Sequence, residues 1–129
     1  MTKILLVEDT PALATEIADI LQMEQFEVSL ATSGSDALTR LKEQFPDVVI
    51  SDLFMTGIDG FQLITAIKND PTLRQIPVII LSARTAADVI DKVKASGGDL
   101  FIQKPCDGQY LVRSIKKVLN KKTQIPHHD

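Results

Sequence analysis

What constrains this chain most is an alternation of two apolar patterns. Five short apolar runs, at residues 3–8, 26–31, 47–52, 77–82 and 99–103, are separated by longer segments whose apolar residues recur at helical spacing. Short runs bounded by turn residues read as strands, and apolar positions at i, i+3 and i+4 read as amphipathic helices. The first, third and fourth runs, Ile4-Leu5-Leu6-Val7, Val48-Val49-Ile50-Ser51 and Val78-Ile79-Ile80-Leu81, are continuous. A strand covered on both faces has no polar side, so these three belong inside a sheet with helices above and below. The second run, Phe26-Glu27-Val28-Ser29-Leu30, alternates and reads as an edge strand with one solvated face. Strands that alternate with helices are joined by right-handed crossovers, which makes the sheet parallel.

The helix signals are local. Leu13, Ile17, Ile20 and Leu21 form the first stripe, with Thr10 as N-cap and Pro11 at the first helical position. Ser33 and Asp36 read as a capping pair before Ala37, Leu38 and Leu41. Phe61, Leu63, Ile64 and Ile67 mark a third helix that stops near Asp70-Pro71, since a residue before proline is driven out of the helical region. Thr85 is expected to open the fourth helix, which carries Val89, Ile90 and Val93 and closes at Ser96-Gly97-Gly98. Asp107 opens the fifth, with Leu111, Val112, Ile115, Val118 and Leu119. The expected organisation is one domain over residues 1–122 and a flexible tail or the start of a linker over 123–129.

The 129 residues suffice for one core and not for two. The net charge of −3 gives no ground for direct binding to nucleic acid. No apolar run approaches the roughly 20 residues of a membrane span, and Met1-Thr2-Lys3 leads straight into a strand rather than a signal peptide. The single cysteine, Cys106, excludes an internal disulfide and fits a reducing compartment. A cytoplasmic setting is expected.

Three strand candidates end in charge: the first in Glu8-Asp9, the third in Asp52, the fifth in Gln103-Lys104-Pro105. If these strands are parallel neighbours, three acids and one lysine meet at the carboxyl edge, where open α/β sheets bind their ligands. Crowded carboxylates repel one another. A hard divalent ion such as Mg²⁺, held by one or two carboxylates with waters and phosphate, relieves that repulsion. A carboxylate can also attack phosphorus to give an aspartyl phosphate, and a metal with one lysine would neutralise the phosphoryl oxygens. Lys104 is placed to be that lysine, and the hydroxyl of Ser82, ending the fourth strand, to bond a phosphoryl oxygen.

Singly, each residue has a plainer reading. An acid pair before a helix is stabilised by the helix dipole. A lone lysine sits on the surface, a serine caps a helix, and Phe101 is a core aromatic. Cys106 reads as a small apolar filler, and His127-His128 as part of the tail. The constellation carries the chemistry, not any one member.

Glu8-Asp9, Asp52 with Met55 and Asp59-Gly60 after it, Ser82-Ala83 and Lys104-Pro105 stand in order, each near a strand end. Together they resemble the response-regulator receiver domain, the CheY-like superfamily of two-component signalling, over roughly residues 3–120. The resemblance implies a flavodoxin-like, doubly wound α/β fold: a five-stranded parallel sheet in the order 2-1-3-4-5 with five helices on both faces. It implies that Asp52 accepts a phosphoryl group from a phosphohistidine on a sensor histidine kinase or histidine phosphotransfer protein. Asp9 and Asp52 would bind Mg²⁺ directly, Glu8 through water, and the Phe54 backbone carbonyl would be a further ligand. Ser82 and Phe101 would be the switch residues, and the peptide bond between Lys104 and Pro105 is expected to be cis. Output would pass from the surface of the fourth helix, fifth strand and fifth helix to a downstream effector protein or domain. The protein would be a monomer or a phosphorylation-dependent dimer. It would be no metabolic enzyme, catalysing only its own phosphorylation and slow dephosphorylation.

The chain departs from the family pattern at Thr56, where proline is common, at Glu8, where aspartate is commoner, and at Cys106, where a larger apolar residue is usual. Phe54 and Arg84, two residues beyond Asp52 and Ser82, are expected to tune how fast water reaches the phosphate. A haloacid-dehalogenase-type phosphohydrolase shares the aspartate, the metal and the Asp52…Thr56 spacing, but needs a second acid where Phe54 stands. A flavin carrier needs a Gly- and hydroxyl-rich loop where Glu8-Asp9-Thr10-Pro11 puts negative charge. A receiver belonging to a longer regulator or hybrid kinase is the remaining alternative.

Overall fold

A computed structural model describes residues 1–124, with side chains as far as residue 121. Ten elements alternate: β1 (Lys3–Val7), α1 (Pro11–Met23), β2 (Glu27–Ala31), α2 (Gly34–Glu43), β3 (Val48–Asp52), α3 (Gly60–Asn69), β4 (Val78–Ser82), α4 (Ala87–Ser96), β5 (Leu100–Gln103) and α5 (Gly108–Gln124). Residues 125–129, with His127, His128 and most of the expected tail, lie outside the described residues.

The strands form one parallel sheet in the order β2-β1-β3-β4-β5, so the alternating second run is indeed an edge strand. Because side chains alternate across a strand, each continuous apolar run feeds two cores. Leu5, Val7, Val49, Val78 and Ile80 pack with the apolar residues of α2, α3 and α4 on one face. Ile4, Leu6, Val48, Ile50, Ile79 and Leu81 pack with α1 and α5 on the other. β3 is fully buried from Val48 to Ile50, which is why that run carries no alternation.

Capping chemistry sets most helix starts. Ser33 Oγ accepts the Asp36 N–H at 3.0 Å. The Asp36 carboxylate in turn accepts from the Thr32 N–H and from Arg40, and these two partners hold its carboxyl below the usual range. Asp59 and Gln62 form a reciprocal capping box at α3, with both bonds 2.9 Å, a pairing legible as Asp-x-x-Gln but not expected above. Asp107 Oδ1 accepts the Tyr110 N–H at 2.7 Å, as its position before α5 implies. Thr10 occupies the N-cap position of α1 without a side-chain bond, and Pro11 there removes one donor that would need a partner.

Thr85 does not open α4. The N-cap position is Ala86, which has no side chain to cap with, and the helix begins at Ala87. The chain leaving β4 is first turned by Ser82, whose Oγ accepts the Arg84 N–H at 3.1 Å, and helix starts only beyond that turn. The other end of α4 follows expectation, with Gly97 in the left-handed region at φ 105°.

At the far end of the sheet Lys68 ties α3 to both neighbouring loops. Its Nζ donates to Arg74 O (3.2 Å), Ile76 O (3.0 Å) and Asp99 Oδ2 (3.1 Å), and the same Asp99 oxygen accepts the Val78 N–H at 2.8 Å. Lys68→Met keeps the stem and removes all three donors. The pair is partly exposed, so the ionic part is small and the unpaired carbonyls dominate. We expect a loss of about 1–2 kcal/mol in urea unfolding with an unchanged slope.

Candidate functional site

Strand register assembles the site. β1 and β3 run side by side with Val7 opposite Ser51, so Glu8 and Asp52 emerge together at the carboxyl edge. Asp52 lies opposite Leu81 of β4, and Ser82 opposite Gln103 of β5. The next residue, Lys104, donates its backbone N–H to Ser82 O at 2.9 Å, extending the ladder by one step. Glu8 does the same on the other side, donating to Ala31 O at 3.0 Å. The order β2-β1-β3 reverses direction between β1 and β3, and that switch point opens the crevice where the acids sit.

Carboxylate oxygens of Glu8, Asp9 and Asp52 lie within 4.8 Å of one another. Lys104 Nζ reaches into the group, 3.1 Å from Glu8 Oε1 and 3.2 Å from Asp52 Oδ1. The three acids differ sharply in setting. Glu8 is saturated: its side chain is 2% exposed, Lys104 takes one oxygen, and the Thr10 N–H donates to the other at 3.1 Å. Asp9 is exposed and, among the described residues, meets only the Thr56 N–H, at a long 3.4 Å. Asp52 receives both Lys104 and the Leu53 N–H (2.9 Å) on Oδ1, and among the described residues no partner takes Oδ2. One lysine against three carboxylates leaves the group short of positive charge. Its all-oxygen donor set fits a hard divalent cation, which would close that deficit.

The walls come from the following loops. α3 begins directly beneath the Asp52 strand end: Gly60 donates to Leu53 O at 2.7 Å, and a Cβ there would stand 2.9 Å from Leu53 Cα and 3.0 Å from Asp52 O. Only glycine allows that approach. Ser82 is buried and its Oγ accepts the Arg84 N–H, with no acceptor for its hydroxyl proton among the described residues. Phe54 is 42% exposed, and Arg84 lies over its ring at 4.6 Å from the centroid. Phe101 is half-buried against the core on the α2–α4 side. The Lys104–Pro105 peptide bond is cis. Burial and then the neighbouring Asp107 push the Cys106 thiol up, against a smaller opposing pull from Lys104, so it stays protonated at neutral pH.

Glu8, Asp9, Asp52 and Lys104 therefore share one crevice, whereas Phe101 packs against the core. Unexpected from sequence are the double ion pair of Lys104, the contact of Phe61 with Phe54 at the rim and the contact of Lys92 with Phe61, described below. The latter cross from one loop to another helix and leave no local signal. No described helix is long and apolar enough to cross a membrane.

The family model of the response regulator receiver domain matches residues 4–116. The heme response regulator HssR of Staphylococcus aureus (strain Newman) is 37% identical over 121 residues, covering 94% of this chain and 53% of that protein. The chain thus spans about half the length of the curated relatives it matches. The receiver domain of a signal transduction histidine kinase from Syntrophus aciditrophicus superimposes with a TM-score of 0.88 at 33% identity, covering 94% of this chain and 92% of that one. The receiver domain of the sensor histidine kinase PA1611 from Pseudomonas aeruginosa PAO1 superimposes with a TM-score of 0.86 at 25% identity, covering 92% and 98%, and holds a magnesium ion in its active-site cleft. With its flavodoxin-like sheet and acidic crevice, the chain belongs to the response regulator receiver domain family of two-component signalling.

Proposed function

We propose that Asp52 is the phosphoacceptor of this receiver and that Mg²⁺ is its cofactor. The observation that carries the reading is the state of the Asp52 carboxylate: Oδ1 is pinned by Lys104 and Leu53, and Oδ2 is open beside two further acids. Asp9 and Asp52 would hold the ion, with Glu8 behind them and the Phe54 carbonyl as a further ligand. The ion, when bound, supplies positive charge to the phosphoryl oxygens.

The residues do the rest. Asp52 Oδ2 forms a bond to phosphorus as the P–N bond to the donor histidine breaks, and the imidazole nitrogen keeps that electron pair. The Leu53 N–H keeps the carboxylate oriented. Lys104, already 3.2 Å from Asp52, follows the new charge onto a phosphoryl oxygen. Ser82 turns its free hydroxyl proton to another. Recruitment of Ser82 draws on the loop that leads to α4, and Phe101 moves into the space vacated. The surface of α4, β5 and α5 then shifts population toward the form an effector protein or domain recognises. The donor is a sensor histidine kinase or a histidine phosphotransfer protein, and the setting is cytoplasmic. The domain occupies residues 1–122, acts as a monomer or a phosphorylation-dependent dimer, and turns over no metabolite. Phe54 stands where a phosphohydrolase would need an acid, so the phosphoryl group is lost slowly.

The protein incubated with Mg²⁺ and a small acyl-phosphate donor is expected to gain one labile phosphoryl group by intact mass. Chelation of the metal should abolish the gain. A native protein that takes no phosphoryl group under these conditions overturns the reading.

A further inference from the structure

Phe54 and Arg84 are joined to two residues that have no place in the phosphoryl chemistry. The Arg84 guanidinium lies 4.6 Å from the Phe54 ring centroid. Phe54 meets Phe61 edge to face, with centroids 6.3 Å apart and planes at 84°. Lys92 Nζ lies 4.3 Å from the Phe61 centroid. Cation, ring, ring and cation thus run from the β4–α4 loop, over the β3–α3 loop and the first turn of α3, to the middle of α4. Lys92 has Asp88 four residues before it on the same helix, the spacing of a helical ion pair. Yet the described residues include no such pair, nor any ion pair of Arg84, and both cations sit on rings instead.

We propose that these four side chains act as one ladder, in which Phe61 and Lys92 are positioning residues. They hold the Phe54–Arg84 stack across the mouth of the Asp52 site and so lengthen the life of its phosphoryl group. The proposal rests on the reading of Asp52 as phosphoacceptor. Loss of the group requires a water oxygen to bond to phosphorus while the P–O bond to Asp52 breaks. Asp52 then leaves as a carboxylate, and inorganic phosphate departs with the water's proton passing to it or to solvent. An exposed ring held on one side by Arg84 and on the other by Phe61 covers the approach better than a ring held once. Because Lys92 belongs to α4, a shift of that helix moves the ladder and so changes the lifetime of the phosphoryl group.

The test uses the full chain, phosphorylated with the small acyl-phosphate donor and Mg²⁺, and follows first-order loss of the group. Lys92→Gln is expected to speed the loss roughly two- to fivefold, the factor by which one exposed cation–π contact moves an equilibrium. Lys92→Arg should restore the native rate, and Lys94→Gln, on the same helix but off the ladder, should leave it unchanged. In a Phe54→Ala background Lys92→Gln should add nothing, since it acts only through the ring. Native decay in Lys92→Gln, or an undiminished Lys92→Gln effect without Phe54, overturns the ladder. A second measurement needs no phosphate: NMR of the Arg84 side chain, whose methylene protons feel the Phe54 ring current. Lys92→Gln should move those signals toward their unstructured values. Unmoved signals in a protein that phosphorylates normally overturn the ladder alone, whereas a native protein that takes no phosphoryl group overturns the phosphoacceptor reading and the lifetime claim with it.

Discussion

Asp52→Asn is expected to abolish incorporation of a phosphoryl group and to leave the fold intact. The amide is nearly the same size as the carboxylate, but its nitrogen lone pair is delocalised and its oxygen carries no formal charge, so it is a poor nucleophile toward phosphorus. The fold should survive because Lys104 keeps its partner Glu8 at 3.1 Å and the Leu53 N–H can still find the amide oxygen. One negative charge also leaves a crowded group. Functional sites commonly hold such repulsion at a cost to stability, so the metal-free variant should unfold no earlier than the native protein and gain up to about 1 kcal/mol. Intact mass after acyl-phosphate treatment reads the first effect and urea unfolding the second. Incorporation that persists at the native level in this variant sinks the assignment of Asp52.

Lys104→Met is expected to have the second large effect, in stability as well as chemistry. The substitution leaves the Glu8 side chain, 2% exposed, with no cation beside it, and two more carboxylates within reach. Breaking a buried pair by removing one partner costs about 3–5 kcal/mol. Lys104 and Asp52 are 18% and 16% exposed, so water screens part of that loss and the low end, about 3 kcal/mol, is expected in metal-free buffer. Mg²⁺ at millimolar concentration should then stabilise the variant more than the native protein, because the ion no longer shares the acids with an ammonium group. Phosphoryl incorporation should fall about 100-fold, the scale for losing one preorganised donor to a developing oxyanion. A variant with native stability in EDTA and native response to Mg²⁺ would show that Lys104 is not the counter-charge of this cluster.

Much of the scaffold could be read from short stretches, for a physical reason. Strand period, helix period and the chemistry of caps and turns are properties of a few consecutive residues, and the continuous run Val48-Val49-Ile50 needs no neighbour to announce that both its faces are covered. Where local chemistry was ambiguous the reading failed. Thr85 has the side chain of a cap, but the Ser82–Arg84 turn just before it delays the helix by one residue. The Asp59–Gln62 box is local as well, since Asp-x-x-Gln ahead of an apolar run is a capping signature.

The sequence by itself determined which groups would stand at the carboxyl edge: strands of this length ending in Glu8-Asp9, Asp52, Ser82 and Lys104 must release those residues there if the sheet is parallel. The tertiary structure alone decided what each acid became. Glu8 and Asp9 are adjacent in the chain, yet one is buried and saturated by Lys104 and Thr10 while the other faces solvent. Both ends of the Lys68 clasp and all four members of the Arg84–Phe54–Phe61–Lys92 ladder likewise come from separate elements. Such contacts depend on sheet register and on the path of three loops, and no window of neighbouring residues encodes either.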